Sequence, residues 1–141
     1  MDLAKFVKTL DEKGMLTKIS KPVDPKYEVS TLMKMLDGRV LLFDNVKGAS
    51  MSVIANVCST RDLVATGLGI PRQELIGKLT DAIDHPKKPK VVDAQGYENI
   101  GADLARLPIL THYPKDGGPY ISSGIVASND KEYGINYSYH R

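Results

Sequence analysis

The sequence predicts an α/β domain followed by a β-hairpin, and three observations support this fold class. Up to about residue 94, stretches with apolar residues at helical spacing alternate with short apolar runs that are typical of buried strands. Gly117-Gly118-Pro119 then excludes a helix, because proline fixes φ and lacks an N–H group. From Tyr120 onward, two runs rich in β-branched and small residues flank turn-forming residues at 129–132.

Helices are predicted from capping residues and apolar spacing. The first begins after Asp2, a suitable N-cap, and ends at Gly14, a suitable C-terminal stop. Its apolar residues recur at helical spacing, at Leu3, Phe6, Val7 and Leu10. The same criteria predict helices at 27–36, 62–68 (capped by Ser59 or Thr60) and 72–83, and a helical turn at 102–108.

Short strands are predicted between these helices. The segment 40–43 is the clearest, since an unbroken apolar run before a turn is typical of a strand buried on both faces. The other predicted strands are 15–19, 53–57 and 90–94.

The composition excludes several classes of protein. The chain has 141 residues, 42% of them hydrophobic, which is typical of a globular protein. A net charge of +2 is too small to indicate a nucleic-acid partner. No apolar stretch approaches the roughly 20 residues of a membrane span, and the N-terminus lacks the apolar segment of a signal peptide. Cys58 is the single cysteine, which indicates neither a disulfide framework nor a zinc site, so we expect a cytoplasmic protein.

One basic cluster, HPKKPK at 85–90, has two interpretations. Its lysines are suited to binding an anion such as phosphate. Its two prolines are typical of a solvated linker, and so short a proline-broken run rarely forms a groove. The pattern therefore favours the linker.

The second strand of the predicted hairpin carries the candidate functional side chains. Side chains alternate along a strand, so that Asn136, Ser138 and His140 share one face while Tyr137, Tyr139 and Arg141 share the other. Neither face is plainly apolar. Asn136 offers an oxygen that suits magnesium or manganese, and Arg141 offers a fork of donors that suits carboxylate or phosphate. On these residues alone, structural roles for Asn136 and His140 and a solvated Arg141 are the commoner alternatives.

Three stretches, in order along the chain, resemble the UbiD family of decarboxylases. They are VLLFDNVKG at 40–48, LPILTHYPKDGG at 107–118 with the PYISSGIV that follows, and GINYSYHR at 134–141. The resemblance implies that the hairpin is the first part of a split β-barrel that binds flavin. It also implies prenylated FMN as cofactor, with manganese or magnesium and in many members potassium at its phosphate. The implied reaction is the reversible decarboxylation of α,β-unsaturated or aromatic carboxylic acids.

The resemblance also assigns roles to single residues. Asn136 matches the asparagine that coordinates the divalent metal. Arg141 matches a catalytic arginine that lies near flavin and substrate, within a network that includes two glutamates. The implied cofactor-binding residues are Ser123, Ser138, Tyr139 and Arg141. The role of His140 stays open, because this position varies in type within the family.

The resemblance divides the chain into an N-terminal α/β domain at 1–106 and an incomplete barrel domain at 107–141. The rest of the barrel and the partner glutamates have no counterpart here. We therefore expect an N-terminal fragment or a small subunit, inactive by itself, that needs the remainder of the enzyme or a larger partner subunit and forms an oligomer. The alternative is a non-catalytic assembly module that pairs with a larger decarboxylase subunit.

One further expectation concerns the backbone. Asn136 and Arg141 are five residues apart, so that a regular strand would place them on opposite faces. If both serve one cofactor, a bulge or bend must lie between them. The sequence therefore predicts a bulge or bend in this stretch.

Overall fold

The protein is described here from a computed structural model, which covers residues 2–90, 92 and 103–140. The helices are α1 (Leu3–Glu12), α2 (Glu28–Met35), α3 (Arg61–Leu68) and α4 (Leu75–Asp84). The strands are β1 (Leu16–Ile19), β2 (Val40–Phe43), β3 (Val53–Ala55), β4 (Gly124–Asp130) and β5 (Gly134–His140). Single 3-10 turns lie at Arg72–Glu74 and Leu104–Arg106. The predicted strand at 90–94 lies largely outside the described residues.

A three-stranded sheet in the order β1-β2-β3 forms the centre of the N-terminal part. β1 pairs in parallel with β2, and β2 pairs antiparallel with β3. Leu41 and Phe43 of β2 are fully buried in one apolar cluster with Val29 of α2. Val40 lies in a second cluster with Phe6 of α1 and Leu63 of α3. β2 is therefore covered on both faces, as its unbroken apolar run predicted.

The ends of the elements follow from local hydrogen bonds and backbone angles. The Asp2 carboxylate accepts the amide N–H of Lys5 at 2.8 Å, which confirms the predicted N-cap of α1. Of the two candidate caps for α3, Thr60 is the one that accepts the N–H of Leu63. β3 ends two residues earlier than predicted because Asn56 adopts a left-handed backbone with φ 61°.

α2 begins one residue later than predicted because Tyr27 lies in a tight turn. Tyr27 has φ 72°, and the amide N–H of Glu28 donates to the carbonyl oxygen of Lys26 at 3.0 Å. A hydrogen bond across three residues with this φ resembles the γ-turn, which is rare and strained. Such a backbone persists only where its surroundings hold it.

The surroundings are the stretch at 107–120, called the docking segment here. Thr111 accepts the N–H of Tyr27 at 2.9 Å and donates its own N–H to Pro25 at 3.2 Å. Ser30 Oγ lies 2.8 Å from the carbonyl oxygen of His112. Leu110 packs against the apolar cluster that contains Phe43. The docking segment therefore attaches the hairpin that follows it to the N-terminal α/β part.

Candidate functional site

The hairpin is regular along its whole described length. β4 and β5 pair antiparallel, one residue to one, from Gly124 opposite His140 to Asp130 opposite Gly134. The predicted bulge or bend is therefore absent from 136–140, because no residue is unpaired between these positions. The remaining step, to Arg141, lies outside the described residues.

The turn of the hairpin is closed by Asp130. Its carboxylate accepts the amide N–H of Glu132 at 2.8 Å and that of Tyr133 at 2.9 Å. These two hydrogen bonds hold the pKa of Asp130 below its usual 3.8 because they favour the ionised carboxylate, and the bond from Tyr133 has the larger effect. Gly134 follows with φ 79°, an angle that favours glycine. This turn fixes the register of the two strands.

One face of the hairpin is polar. Directly opposing residues project from the same face, so Ser128 joins Asn136, and Val126 and Gly124 lie beside Ser138 and His140. The His140 Nε2 atom lies 2.9 Å from the Ser138 hydroxyl oxygen. Alternate side chains along a strand are about 7 Å apart. Amide, hydroxyl and imidazole groups therefore form a row along β5.

The other face of the hairpin is mainly apolar. On β5 alone neither face is apolar, but pairing with β4 places Ile125 beside Tyr139 and Ala127 beside Tyr137. Tyr137 is 68% exposed and Tyr139 is 81% exposed. β4 and β5 pair only with each other among the described strands. An exposed apolar face of this kind is typical of interaction surfaces.

The structure brings together only some of the predicted site residues. Asn136 and Ser138 lie on the polar face. Tyr139 projects from the opposite face, so a regular strand separates it from these two side chains. Ser123 immediately precedes β4, and Arg141 lies outside the described residues.

Ser123 lines an open cleft of about 390 Å³ between the docking segment and the start of β4. The cleft also includes Ser122, His112 and Tyr120, and the rings of His112 and Tyr120 are 5.8 Å apart. His112 and Tyr120 were not among the predicted site residues, although both lie in the stretch that resembles the UbiD family. Their position inside that stretch is the signal that could have identified them.

The donor atoms fit a flavin phosphate and its cation in part. An amide oxygen suits a hard divalent cation, and hydroxyl and imidazole groups suit phosphate and ribityl oxygens. Within 2–90, 92 and 103–140, no group of three or more His, Cys, Asp or Glu side chains is placed to hold a metal ion. The polar face can therefore form one wall of such a site and needs further ligands.

Within the same described ranges, no helix has both the length and the apolar character to cross a bilayer.

Two family models match the chain in succession. The 3-octaprenyl-4-hydroxybenzoate carboxy-lyase N-terminal domain matches residues 7–83, and the Rift-related domain of the same name matches residues 82–141. The chain belongs to the UbiD family. This confirms the resemblance on which the site residues were assigned.

Curated relatives match almost the whole chain. An anhydromevalonate phosphate decarboxylase from Methanosarcina mazei is 41% identical over 138 residues, which cover 96% of this chain and 32% of the relative. A protein of the same name from Methanothermobacter thermautotrophicus is 30% identical over 138 residues, which again cover 96% of this chain and 32% of the relative. The chain thus spans about a third of the length of these relatives.

Solved UbiD structures share the fold. The UbiD-class enzyme HmfF from Pelotomaculum thermopropionicum, in an evolved dimeric form with prFMN, matches with a TM-score of 0.80 and 34% identity. The match covers 98% of this chain and 34% of that one. The same enzyme in complex with FMN also matches with a TM-score of 0.80. The predicted α/β fold class is confirmed, and the assignment of the hairpin to a split, incomplete β-barrel remains a prediction.

Proposed function

We propose that this chain is the N-terminal part of a UbiD decarboxylase that acts on an α,β-unsaturated or aromatic carboxylic acid with prenylated FMN. The observation that carries the proposal is the match to an anhydromevalonate phosphate decarboxylase over 96% of the chain at 41% identity. Because three relatives share this name at 30–41% identity, we propose anhydromevalonate phosphate as the substrate. The division at 106/107 and a cytoplasmic location belong to the same proposal.

The predicted site residues have distinct roles in this proposal. Prenylated FMN, when bound, supplies the covalent chemistry that allows carbon dioxide to leave. The Asn136 amide oxygen contributes to a manganese or magnesium site at the flavin phosphate, with potassium as a second ion. Ser138 and Ser123 hydrogen-bond to the cofactor. Tyr139, whose side chain projects from the opposite face of β5, would contact the cofactor through its backbone. Arg141 is the proposed catalytic residue, which binds the substrate carboxylate or holds partner glutamates ionised.

The hairpin supports the proposal that more protein completes this site. An isolated two-stranded hairpin is marginally stable, and this one has two edges that pair with no other described strand, as well as an exposed apolar face. The remainder of the enzyme, as the same polypeptide or as a larger subunit, would cover the face that carries Tyr137 and Tyr139. We propose an oligomeric assembly and expect the 141-residue chain to be inactive alone.

The exposed apolar face also favours a second function. A non-catalytic module that pairs with a larger decarboxylase subunit needs the same surface. Such a module has no requirement for Asn136 or Arg141. Substitution of these two residues therefore separates the hypotheses.

The test uses the native assembly, isolated with all polypeptides that accompany this chain, from a host that produces prenylated FMN. Intact mass identifies the polypeptides, absorbance reports bound flavin, and carbon dioxide release from anhydromevalonate phosphate reports activity. We expect bound flavin and turnover, with turnover lost in Arg141→Ala. Absence of flavin and of carbon dioxide release would overturn the proposal. Full activity of Arg141→Ala would favour the assembly module.

A further inference from the structure

Ser138 and His140 are linked by a side-chain hydrogen bond on the polar face. The His140 Nε2 atom lies 2.9 Å from Ser138 Oγ, two residues back along β5. A serine hydroxyl on an exposed strand rotates among three positions. A hydrogen bond to the imidazole selects one of these positions. It therefore fixes the direction in which the hydroxyl can form a second hydrogen bond.

The hairpin leaves this pair open to a ligand. The residue opposite His140 is Gly124, and the residue opposite Ser138 is Val126. Neither carries a polar side-chain atom that competes for the hydroxyl or the imidazole. Asn136, the proposed metal ligand, follows at about 7 Å along the same face, which is close enough for one phosphate group to meet both Ser138 and a cation bound by Asn136.

We propose that His140 is a positioning residue that orients the Ser138 hydroxyl toward the flavin phosphate. The inference rests on the proposed function, since it requires flavin to bind along the polar face. The Nε2–H of His140 donates to Ser138 Oγ, which leaves the hydroxyl hydrogen for a phosphate oxygen. Phosphate oxygens accept hydrogen bonds, so this direction of donation is the one that lets Ser138 bind phosphate.

The test measures the dissociation constants of FMN and of riboflavin, which lacks the phosphate, for the native assembly with Mn²⁺. The variants are Ser138→Ala, His140→Phe, the double variant, and His140→Gln, whose amide keeps a donor. We expect Ser138→Ala and His140→Phe each to weaken FMN binding about three- to tenfold, a net effect typical of one hydrogen bond. The double variant should be no weaker than Ser138→Ala, and His140→Gln should recover most of the affinity.

Riboflavin separates positioning from general damage to the hairpin. We expect its affinity to be the same in all variants, because it makes no phosphate contact. Equal FMN affinity of wild type and His140→Phe would overturn the inference, as would losses that multiply in the double variant. If the wild-type assembly binds no FMN, the proposed function fails together with the inference. If wild type binds FMN and His140→Phe binds it equally well, the inference fails while the proposed function stands.

Discussion

Asn136 lies directly opposite Ser128 across the hairpin, so that both polar side chains leave the same face of the sheet. Asn129 is one residue further along β4 and pairs with Ile135 on the other face. The hairpin thus carries two asparagines in nearly equivalent exposed positions. Only Asn136 belongs to the row of polar groups that we assign to the flavin phosphate and its cation.

The first prediction uses this pair of asparagines. Asn136→Ala should weaken Mn²⁺-dependent FMN binding by the native assembly at least about tenfold, because it removes an oxygen ligand from the cation site. Asn129→Ala is the matched control and should bind FMN like wild type. Calorimetric titration with and without Mn²⁺ measures both. Equal losses in the two variants would show that the polar face has no special relation to the cation.

The row of Asn136, Ser138 and His140 could be predicted from the sequence because alternation along one strand is a local property. Their cross-strand neighbours could not, since these depend on the register that the Asp130 turn sets. The predicted bulge, which is absent from 136–140, could not be judged from the sequence for a similar reason. It was inferred from a functional requirement on Asn136 and Arg141, whereas the backbone follows the one-to-one pairing of β4 with β5.

In the N-terminal part too, local patterns could be predicted from the sequence and long-range contacts could not. Apolar spacing predicted its helices and its buried central strand, since both patterns lie within short stretches of sequence. The contact between Ser30 and His112 spans 82 residues and leaves no local pattern. The strained turn at Tyr27 is likewise held in part by Thr111, which is distant in sequence. Long-range contacts of this kind decide how the hairpin is attached.

The second prediction concerns that attachment. Ser30 Oγ lies 2.8 Å from His112 O and 2.9 Å from Tyr27 O, whereas Thr31 Oγ1 bonds only to Tyr27 O, at 2.7 Å. Ser30→Ala should lower the free energy of unfolding by about 1 kcal/mol and speed hydrogen exchange at the Thr111 amide. Thr31→Ala loses a hydroxyl without touching the docking segment, and exchange at Thr111 should stay unchanged. Faster exchange in both variants would contradict the proposed link.

The third prediction separates two contributions of Asn56. Its amide donates to the carbonyl oxygen of Met33 at 2.9 Å and lies 3.4 Å from that of Leu36, at the C-terminal end of α2. Asn56→Gly removes these bonds but accepts the left-handed backbone, so it should cost about 1 kcal/mol of stability. Asn56→Ala adds the strain of a left-handed alanine, about 1–2 kcal/mol more. Urea unfolding measures both, and equal stabilities of the two variants would exclude the backbone contribution.

The fourth prediction concerns the pH dependence of the hairpin turn. Hydrogen bonds from Tyr133 and Glu132 lower the pKa of Asp130 in the folded protein below 3.8. The ionised carboxylate therefore stabilises the turn at pH values above 3.8, and this contribution is lost as the pH falls through the lower, folded pKa. The amide proton shifts of Glu132 and Tyr133, followed from about pH 6 to about pH 2, should titrate together in this acidic range. Asp130→Asn should abolish the shared titration while it keeps one oxygen that can accept an amide N–H. A wild-type midpoint at or above 3.8 would show that the two hydrogen bonds do not favour the ionised carboxylate.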